Sequence, residues 1–173
     1  MATSLQEHNT ISSPFKSIFS DFFELTKARL ALSVVFSSLA GFLIAADEIN
    51  FDVIFLLIIG GYCMVGSSNI FNQIIEKDSD AVMNRTKNRP IPSGRISVSV
   101  AFLVAVLLTL IGVVVLYRIN ATTALFGSIS IFIYACIYTP LKQKTPLSVF
   151  VGAIPGAIPF MLGWIAATNE FGI

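Results

Sequence analysis

Charged residues are scarce in this chain: only 12% of its 173 residues are Asp, Glu, Lys or Arg, while 55% are hydrophobic. Such a composition, with a mean hydropathy of +0.81, excludes an ordinary soluble domain and indicates a membrane protein. The two cysteines, Cys63 and Cys136, form no CxxC pair, which argues against a zinc site or a disulfide framework. The only histidine, His8, lies in a polar N-terminal tail and is interpreted as solvated rather than as a haem ligand. We expect no nucleic-acid partner.

Long hydrophobic runs predict an all-α fold, a multi-pass transmembrane helical bundle. Five runs are long enough to cross about 30 Å of hydrocarbon as helices. They cover roughly residues 30–46, 51–75, 97–117, 121–138 and 147–168. No cleavable signal peptide is expected before them. Two prolines and a glycine in residues 90–94 predict a turn before the third run, with Ser97 as its N-cap.

The N-terminal region predicts a different kind of helix. After Pro14, apolar residues recur at helical spacing between polar ones, which is typical of a helix lying on a membrane surface. A short helix packed on the loops is the alternative. We therefore divide the chain into residues 1–24, a polar tail with an interfacial amphipathic helix, and residues 25–173, the N-terminal part of a transmembrane domain.

The distribution of basic residues predicts the orientation in the membrane. If the N-terminus is inside, all of the 11 Lys and Arg residues except Arg118 lie on the inner side. Three acidic residues, Asp47, Glu48 and Asp52, lie on the opposite side. We therefore expect a bacterial inner-membrane protein, in contact with membrane lipid, whose N-terminus and residues 72–89 face the cytoplasm.

Much of the charge is concentrated in residues 72–89 (NQIIEKDSDAVMNRTKNR). Asn72, Glu76 and Asp80 are four residues apart, so on a helix they form one face, which we call the acidic stripe. Like charges at this spacing destabilise a bare helix, so the stripe favours a bound cation. Mg²⁺ is commonly held by one or two carboxylates and substrate phosphates. The segment thus predicts a magnesium-diphosphate site; a solvated loop whose charges only set topology is the alternative.

Basic side chains would neutralise the diphosphate, arginine through bidentate contacts and lysine as a point charge. Three of them follow the stripe: Arg85, Lys87 and Arg89. Further candidates at the same membrane level are Tyr138 and Lys142, which are four residues apart and so lie on one side of a helix, and Lys27 and Arg29. For these four the alternative is interfacial anchoring or topology control. With an apolar tail between the helices, the ligand would be an isoprenoid diphosphate.

The sequence NQIIEKDSDAVMNRTKNRPIPSGRIS resembles the first acidic motif of the UbiA-type intramembrane prenyltransferases, an N-x-x-x-D-x-x-x-D core with an R-x-x-R-P-x-x-x-G tail. The stretches LTKARLALSVVFSSLAGFLIAA and YTPLKQKTPLSVFVGAIPGAIPFMLGWIAAT are similar to the protoheme IX farnesyltransferases of that family. The resemblance runs from about residue 25 to residue 168. It implies Mg²⁺-dependent transfer of farnesyl from farnesyl diphosphate to a vinyl group of haem B, which gives haem O and releases diphosphate. Terminal-oxidase assembly or a haem A synthase would be the partners.

By position, the resemblance implies that Asn72, Glu76 and Asp80 hold the metal-diphosphate, with Asp78 close by, while arginines 85 and 89 contact the diphosphate. Glu76 stands where the motif usually has Asp. Family members have about nine spans and a second acidic motif in the C-terminal half. We therefore expect the chain to be part of a longer protein and to be inactive alone. A prenyltransferase for a quinone precursor or chlorophyllide, or a non-catalytic membrane subunit, remains an alternative.

Overall fold

The structure, a computed structural model, describes residues 14–171, with side chains from residue 18 onward. Every regular element in that range is helical, which confirms the all-α prediction. The predicted polar tail and His8 lie outside the described residues. In chain order the helices are α1 (Pro14–Thr26), α2 (Ala28–Ala45), α3 (Phe51–Ile75), α4 (Lys77–Val82), α5 (Val98–Tyr117), α6 (Ala121–Phe132), a π-helix (Ile133–Tyr138), α7 (Thr139–Leu141) and α8 (Ser148–Thr168).

Five helical segments within residues 14–171 are long and apolar enough to cross a membrane, as predicted. They are α2, α3, α5, the continuous run Ala121–Leu141 that contains α6, the π-helix and α7, and finally α8. Their bounds differ from the predicted runs by no more than three residues. The length of an apolar run therefore locates these helices well, because each must match the hydrocarbon thickness.

Polar side chains begin three of the membrane-length segments. Asn50 Oδ1 accepts the N–H of Asp52 at 2.9 Å at the start of α3, and Ser97 Oγ accepts the N–H of Val100 at 3.3 Å at the start of α5. The side chain of Asn120 does the same at the start of α6. These caps satisfy backbone donors that have no partner within the helix. The N-cap predicted at Ser97 is confirmed.

Helix α3 lies at the centre of the bundle and packs against α2, α5 and α6, while α2 also packs along α8. The α2–α8 crossing is close because both helices have glycine there. A Cβ on Gly163 would overlap the carbonyl oxygen of Ser38, and one on Gly41 would lie 3.0 Å from the carbonyl carbon of Phe160. Small residues of this kind allow membrane helices to approach through their backbones.

Helix α8 continues through two prolines, Pro155 and Pro159, within its length. A cavity of about 210 Å³ lies beside this helix and is lined on the α8 side by both prolines together with Gly152 and Gly156. Proline removes a backbone hydrogen bond and glycine removes side-chain volume, so this segment leaves room where a regular helix would fill it.

Helix α1 is present where the sequence predicted it. One side packs on the bundle, with Leu25 and Asp21 buried, whereas Ile18, Phe19 and Phe23 are exposed. Large exposed apolar side chains on one face suit contact with lipid. Whether α1 lies on a membrane surface stays a prediction.

Candidate functional site

The acidic stripe lies where α3 passes into α4. Glu76 is the junction between the two helices, yet its N–H donates to the carbonyl of Asn72 at 3.0 Å, and the N–H of Asp80 donates to that of Glu76 at 2.8 Å. The helical spacing therefore survives the junction. Asn72, Glu76 and Asp80 are only 1%, 7% and 4% exposed. Such burial contradicts the alternative of a solvated loop.

Both carboxylates of the stripe have cationic partners from distant parts of the chain. Glu76 Oε1 lies 2.8 Å from Lys142 Nζ, and Asp80 Oδ2 lies 2.5 Å from Arg89 Nη1. A buried carboxylate without a counter-charge would cost several kcal/mol, so these pairs make the burial possible. The structure thus brings together four of the predicted site residues.

Lys27 and Thr139 extend the cluster around Asn72. Lys27 Nζ donates to Asn72 Oδ1 at 3.4 Å, and Asn72 Nδ2 donates to Thr139 Oγ1 at 3.3 Å. Thr139 Oγ1 in turn donates to the carbonyl of Tyr134 at 2.8 Å. Sequence reasoning missed Thr139, although its position directly after Tyr138 could have indicated it. The two bonds fix the amide of Asn72, so that its oxygen faces the cations.

Lys27 lies close enough to the other charged groups of the cluster for them to affect its pKa. Burial lowers the pKa of Lys27 from 10.5 to about 8, and the positive charges of Arg89 and Lys142 act in the same direction. The carboxylates of Glu76 and Asp80 oppose this shift. The end of the bundle at which these groups meet is called the site end below.

Tyr138 lies beside Lys142, as the spacing of four predicted. The ammonium of Lys142 lies 5.7 Å from the centre of the Tyr138 ring, close enough for a cation–π contact. The ring also packs on α8 at Gly152, where a Cβ would lie only 2.6 Å from Tyr138 Cε2. Glycine at this position therefore lets the tyrosine reach the site end.

Four predicted residues lie outside this cluster: Asp78, Arg85, Lys87 and Arg29 are all exposed. Lys87 Nζ donates to Asn84 Oδ1 at 3.2 Å. In residues 14–171 no group of three or more His, Cys, Asp or Glu side chains is arranged to hold a metal ion. The donors available at the stripe are two carboxylates and the Asn72 amide. The roles predicted for all these residues stay predictions.

The segment between the stripe and α5 folds back onto α1, which the sequence did not indicate. Arg95 pairs with Asp21 and with Glu24, the latter at 2.8 Å, and it donates to the carbonyl of Asn88 at 2.7 Å. Thr86 Oγ1 donates to the carbonyl of Asp80 at 3.0 Å. Together these bonds hold the segment that carries Arg89 over the stripe.

The cavity of about 210 Å³ lies just inside the site end. Its lining includes Asn69, one turn before Asn72 on α3, and Tyr134, one turn before Tyr138. A second cavity of about 40 Å³ shares Val65 and Ser68 with it and reaches Met64 deeper in the bundle. Most of the surface that lines this space is apolar, so the space suits an apolar chain whose polar end is at the stripe.

Comparison with known sequences places this arrangement among related proteins. The sequence model of the UbiA prenyltransferase family matches residues 34–173. The protoheme IX farnesyltransferase of Flavobacterium psychrophilum is 68% identical over 163 residues, which cover 92% of this chain and 54% of that protein. That of Christiangramia forsetii is 64% identical and covers 94% of this chain and 54% of its own length. The chain spans about half the length of the curated relatives that it matches.

Two solved structures share the fold. The first comes from a study of the biosynthesis of digeranylgeranylglyceryl phosphate synthase in membranes. It has a TM-score of 0.79 at 22% identity, and the matched region covers 87% of this chain and 53% of that one. A UbiA homologue from Archaeoglobus fulgidus, bound to GPP and Mg²⁺, has a TM-score of 0.77 at 18% identity, covering 88% of this chain and 56% of that one. At these identities the likeness concerns the helical architecture.

Proposed function

The chain belongs to the UbiA prenyltransferase family, and on that premise we propose that it takes part in farnesyl transfer from farnesyl diphosphate to a vinyl group of haem B. The product is haem O, and diphosphate is released. Two relatives that are 68% and 64% identical carry the name protoheme IX farnesyltransferase. The observation that carries the proposal is the buried pair of carboxylates, Glu76 and Asp80, each beside a cation, on a helical face that begins one turn after Asn69 in the lining of an apolar cavity.

Mg²⁺ fits the donors that the stripe offers. This ion prefers hard oxygen ligands and usually takes one or two carboxylates, waters and substrate phosphates. Asn72, Glu76 and Asp80 would hold it, with Asp78 as a further candidate from outside the buried face. When bound, the ion supplies positive charge that stabilises the departing diphosphate.

The basic residues hold the diphosphate. Lys142 and Arg89 now neutralise the stripe, at 2.8 Å and 2.5 Å from its carboxylates. When the metal-diphosphate binds, they turn to phosphate oxygens, so each exchanges one charged partner for another and no charge is left uncompensated. Lys27 lies next to them at Asn72 and Tyr138 lies next to Lys142, while Arg85, Lys87 and Arg29 add positive charge at the surface.

The cavity accommodates the isoprenoid and protects the reaction from water. When the bond between the farnesyl C1 and the diphosphate oxygen breaks, positive charge develops on the allylic carbons. The ring of Tyr134 lines the cavity and that of Tyr138 packs 5.4 Å from it, so aromatic faces lie near that charge. The terminal carbon of the haem vinyl group bonds to the farnesyl C1, which leaves positive charge on the inner vinyl carbon. Water adds to that carbon and gives up a proton to the released diphosphate, which leaves the hydroxyl group of the product. The mostly apolar walls of the cavity keep water from capturing the farnesyl group first.

The protein is proposed to lie in the bacterial inner membrane with its N-terminus and site end in the cytoplasm, where Mg²⁺ and prenyl diphosphates are available. The basic residues near the site end support this orientation. Terminal-oxidase assembly proteins or a haem A synthase would receive the product. Since the resemblance implies a second acidic motif elsewhere in the family, residues 1–173 by themselves should bind prenyl diphosphate without turnover.

An acceptor-competition assay tests the function. The longer protein that is expected to contain residues 1–173, purified in lipid nanodiscs, receives Mg²⁺, farnesyl diphosphate and either haem B, a quinone precursor or chlorophyllide, and the products are identified by mass spectrometry. We expect haem O, and we expect Glu76→Gln to reduce its formation at least 100-fold because the stripe loses a negative charge. Asp47→Asn, at the opposite end of α2, is the matched control and should have no effect.

Each other outcome has a definite meaning. Prenylation of a different acceptor in preference to haem B would replace the proposed substrate while keeping the reaction. Equal haem O formation by Glu76→Gln, or without any divalent cation, would refute the role of the stripe. If residues 1–173 alone give robust haem O, the proposal that they lack turnover is wrong. Absence of any prenyl product from the protein and its full-length relatives alike would favour the non-catalytic subunit.

A further inference from the structure

The corner between α1 and α2 consists of a single residue in an unusual conformation. Lys27 has φ 50° and ψ 57°, the left-handed region. A residue with a Cβ pays roughly 1–2 kcal/mol to adopt it. Such strain persists only where the surroundings impose it, and it is concentrated at functional sites. The contacts that hold this corner therefore indicate why the strained conformation is retained.

Two buried amides from α3 hold the corner. Asn69 Nδ2 donates to the carbonyl of Thr26 at 2.9 Å, and Gln73 Nε2 donates to the carbonyl of Leu25 at 2.7 Å. These carbonyls belong to the last turn of α1, where a helix has no internal donors to offer them. Asn69 is 2% exposed and Gln73 is fully buried. Helix α3 thus fixes the backbone on the N-terminal side of Lys27.

The same stretch of α3 carries the residue that Lys27 contacts. Asn72 lies between the two amides in sequence, and its Oδ1 accepts from Lys27 Nζ at 3.4 Å. Moreover, Gln73 Oε1 is buried without a hydrogen-bond partner among the described residues. An apolar residue would avoid the free-energy cost of burying this unpaired oxygen. We therefore attribute the presence of Gln73 to the hydrogen bond that its Nε2 donates. One face of α3 therefore holds the backbone next to Lys27 and also carries Asn72, which the ammonium of Lys27 contacts.

We infer that Asn69 and Gln73 are positioning residues for the prenyl diphosphate. They clamp the α1–α2 corner so that the ammonium of Lys27 is delivered to the diphosphate beside Asn72. This inference rests on the proposed function and deepens it, since it assigns two buried amides a part in substrate affinity. Gln73 lies outside the cavity lining and acts through Lys27, whereas Asn69 also lines the cavity, so the test uses Gln73.

A double-mutant cycle tests the inference. The probe is farnesyl thiodiphosphate with Mg²⁺, titrated into the nanodisc-embedded protein by calorimetry. Lys27→Met should weaken binding about tenfold or more, because a hydrogen bond to a charged group is worth about 1.5–3 kcal/mol. Gln73→Leu should weaken binding by a similar factor. In the double variant the loss should equal that of Lys27→Met alone, since the amide acts only through the lysine.

A matched control separates positioning from general stability. Ser67, also on α3, donates to the carbonyl of Ala105 at 2.8 Å and holds α5 instead of α1. Ser67→Ala loses a buried hydrogen bond of the same kind, so it should lower the melting temperature without weakening probe binding. If Gln73→Leu does not fold, Gln73→Met, which also removes the amide donor, is measured in the same cycle.

The outcomes distinguish this inference from the proposed function. Absence of probe binding by the unaltered protein would overturn both. Binding that is unaffected by Lys27→Met, or by folded Gln73→Leu, would overturn only the positioning roles. Losses that multiply in the double variant would show that Gln73 acts independently of Lys27, which also overturns the inference.

Discussion

The same substitution at two glycines of α8 should have opposite effects on stability. A methyl group at Gly163 would overlap the Ser38 carbonyl oxygen and lie 2.7 Å from the backbone nitrogen of Phe42. A methyl group at Gly156 would meet no atom within 4 Å. Gly163→Ala and Gly156→Ala therefore form a matched pair, which differs only in what surrounds the added carbon.

The magnitude follows from the atoms involved. Ordinary van der Waals contact begins at 3.4 Å, so Gly163→Ala forces α2 and α8 apart by several tenths of an ångström or more. Backbone atoms cannot rotate away, and overpacking of this kind costs about 1–3 kcal/mol. At Gly156 the added methyl only improves helix propensity, by up to about 1 kcal/mol. The two variants should differ by about 1–4 kcal/mol in the free energy of unfolding.

Reversible unfolding of the purified protein in mixed micelles, with increasing dodecyl sulfate, measures this difference. Circular dichroism follows the helices, and a crosslink between α2 and α8 reports their separation. Equal stability of the two variants, or greater stability of Gly163→Ala, would refute a backbone contact between α2 and α8.

Three further predictions concern the site end. Lys27→Gly should raise the free energy of unfolding by about 1 kcal/mol relative to Lys27→Ala, because glycine adopts the left-handed conformation freely; equal melting temperatures would contradict the strain. Lys142→Met should lower the free energy of unfolding by about 1–3 kcal/mol, because Glu76 is left unpaired. Mg²⁺ should restore part of that free energy, whereas the stability of the control Lys144→Met, at an exposed position, should not respond to Mg²⁺. Arg95→Lys should make the segment before α5 more accessible to protease, which limited proteolysis would detect.

The sequence predicted the helices and one face of the site because both depend on local spacing. Run length located the spans, and the i, i+4 spacing placed Asn72, Glu76 and Asp80 together. The same spacing correctly put Tyr138 next to Lys142. Asp78, which the family resemblance places close to the metal, is exposed and lies on another side of the helix, and its role stays a prediction.

The remaining features depend on contacts between distant segments. Arg95 was counted only as a topology-setting charge, whereas its partners lie on α1, more than 70 positions earlier. The left-handed backbone of Lys27 follows from amides on α3, and no residue type at position 27 indicates it. The π-helix escaped prediction because six residues of wider turn do not disturb a hydrophobic run.

That π-helix determines which side chains after it face the acidic stripe. The wide turn accommodates one more residue than an α-helix would in the same rise. If the same residues formed an uninterrupted α-helix, everything after Tyr138 would be rotated by about 100°, and Lys142 would move away from Glu76. Deleting one residue from Ile133–Tyr138 would instead convert the turn to α-helix and leave Lys142 in place, so the salt bridge to Glu76 should tolerate the loss of one residue there but not an insertion elsewhere in the span.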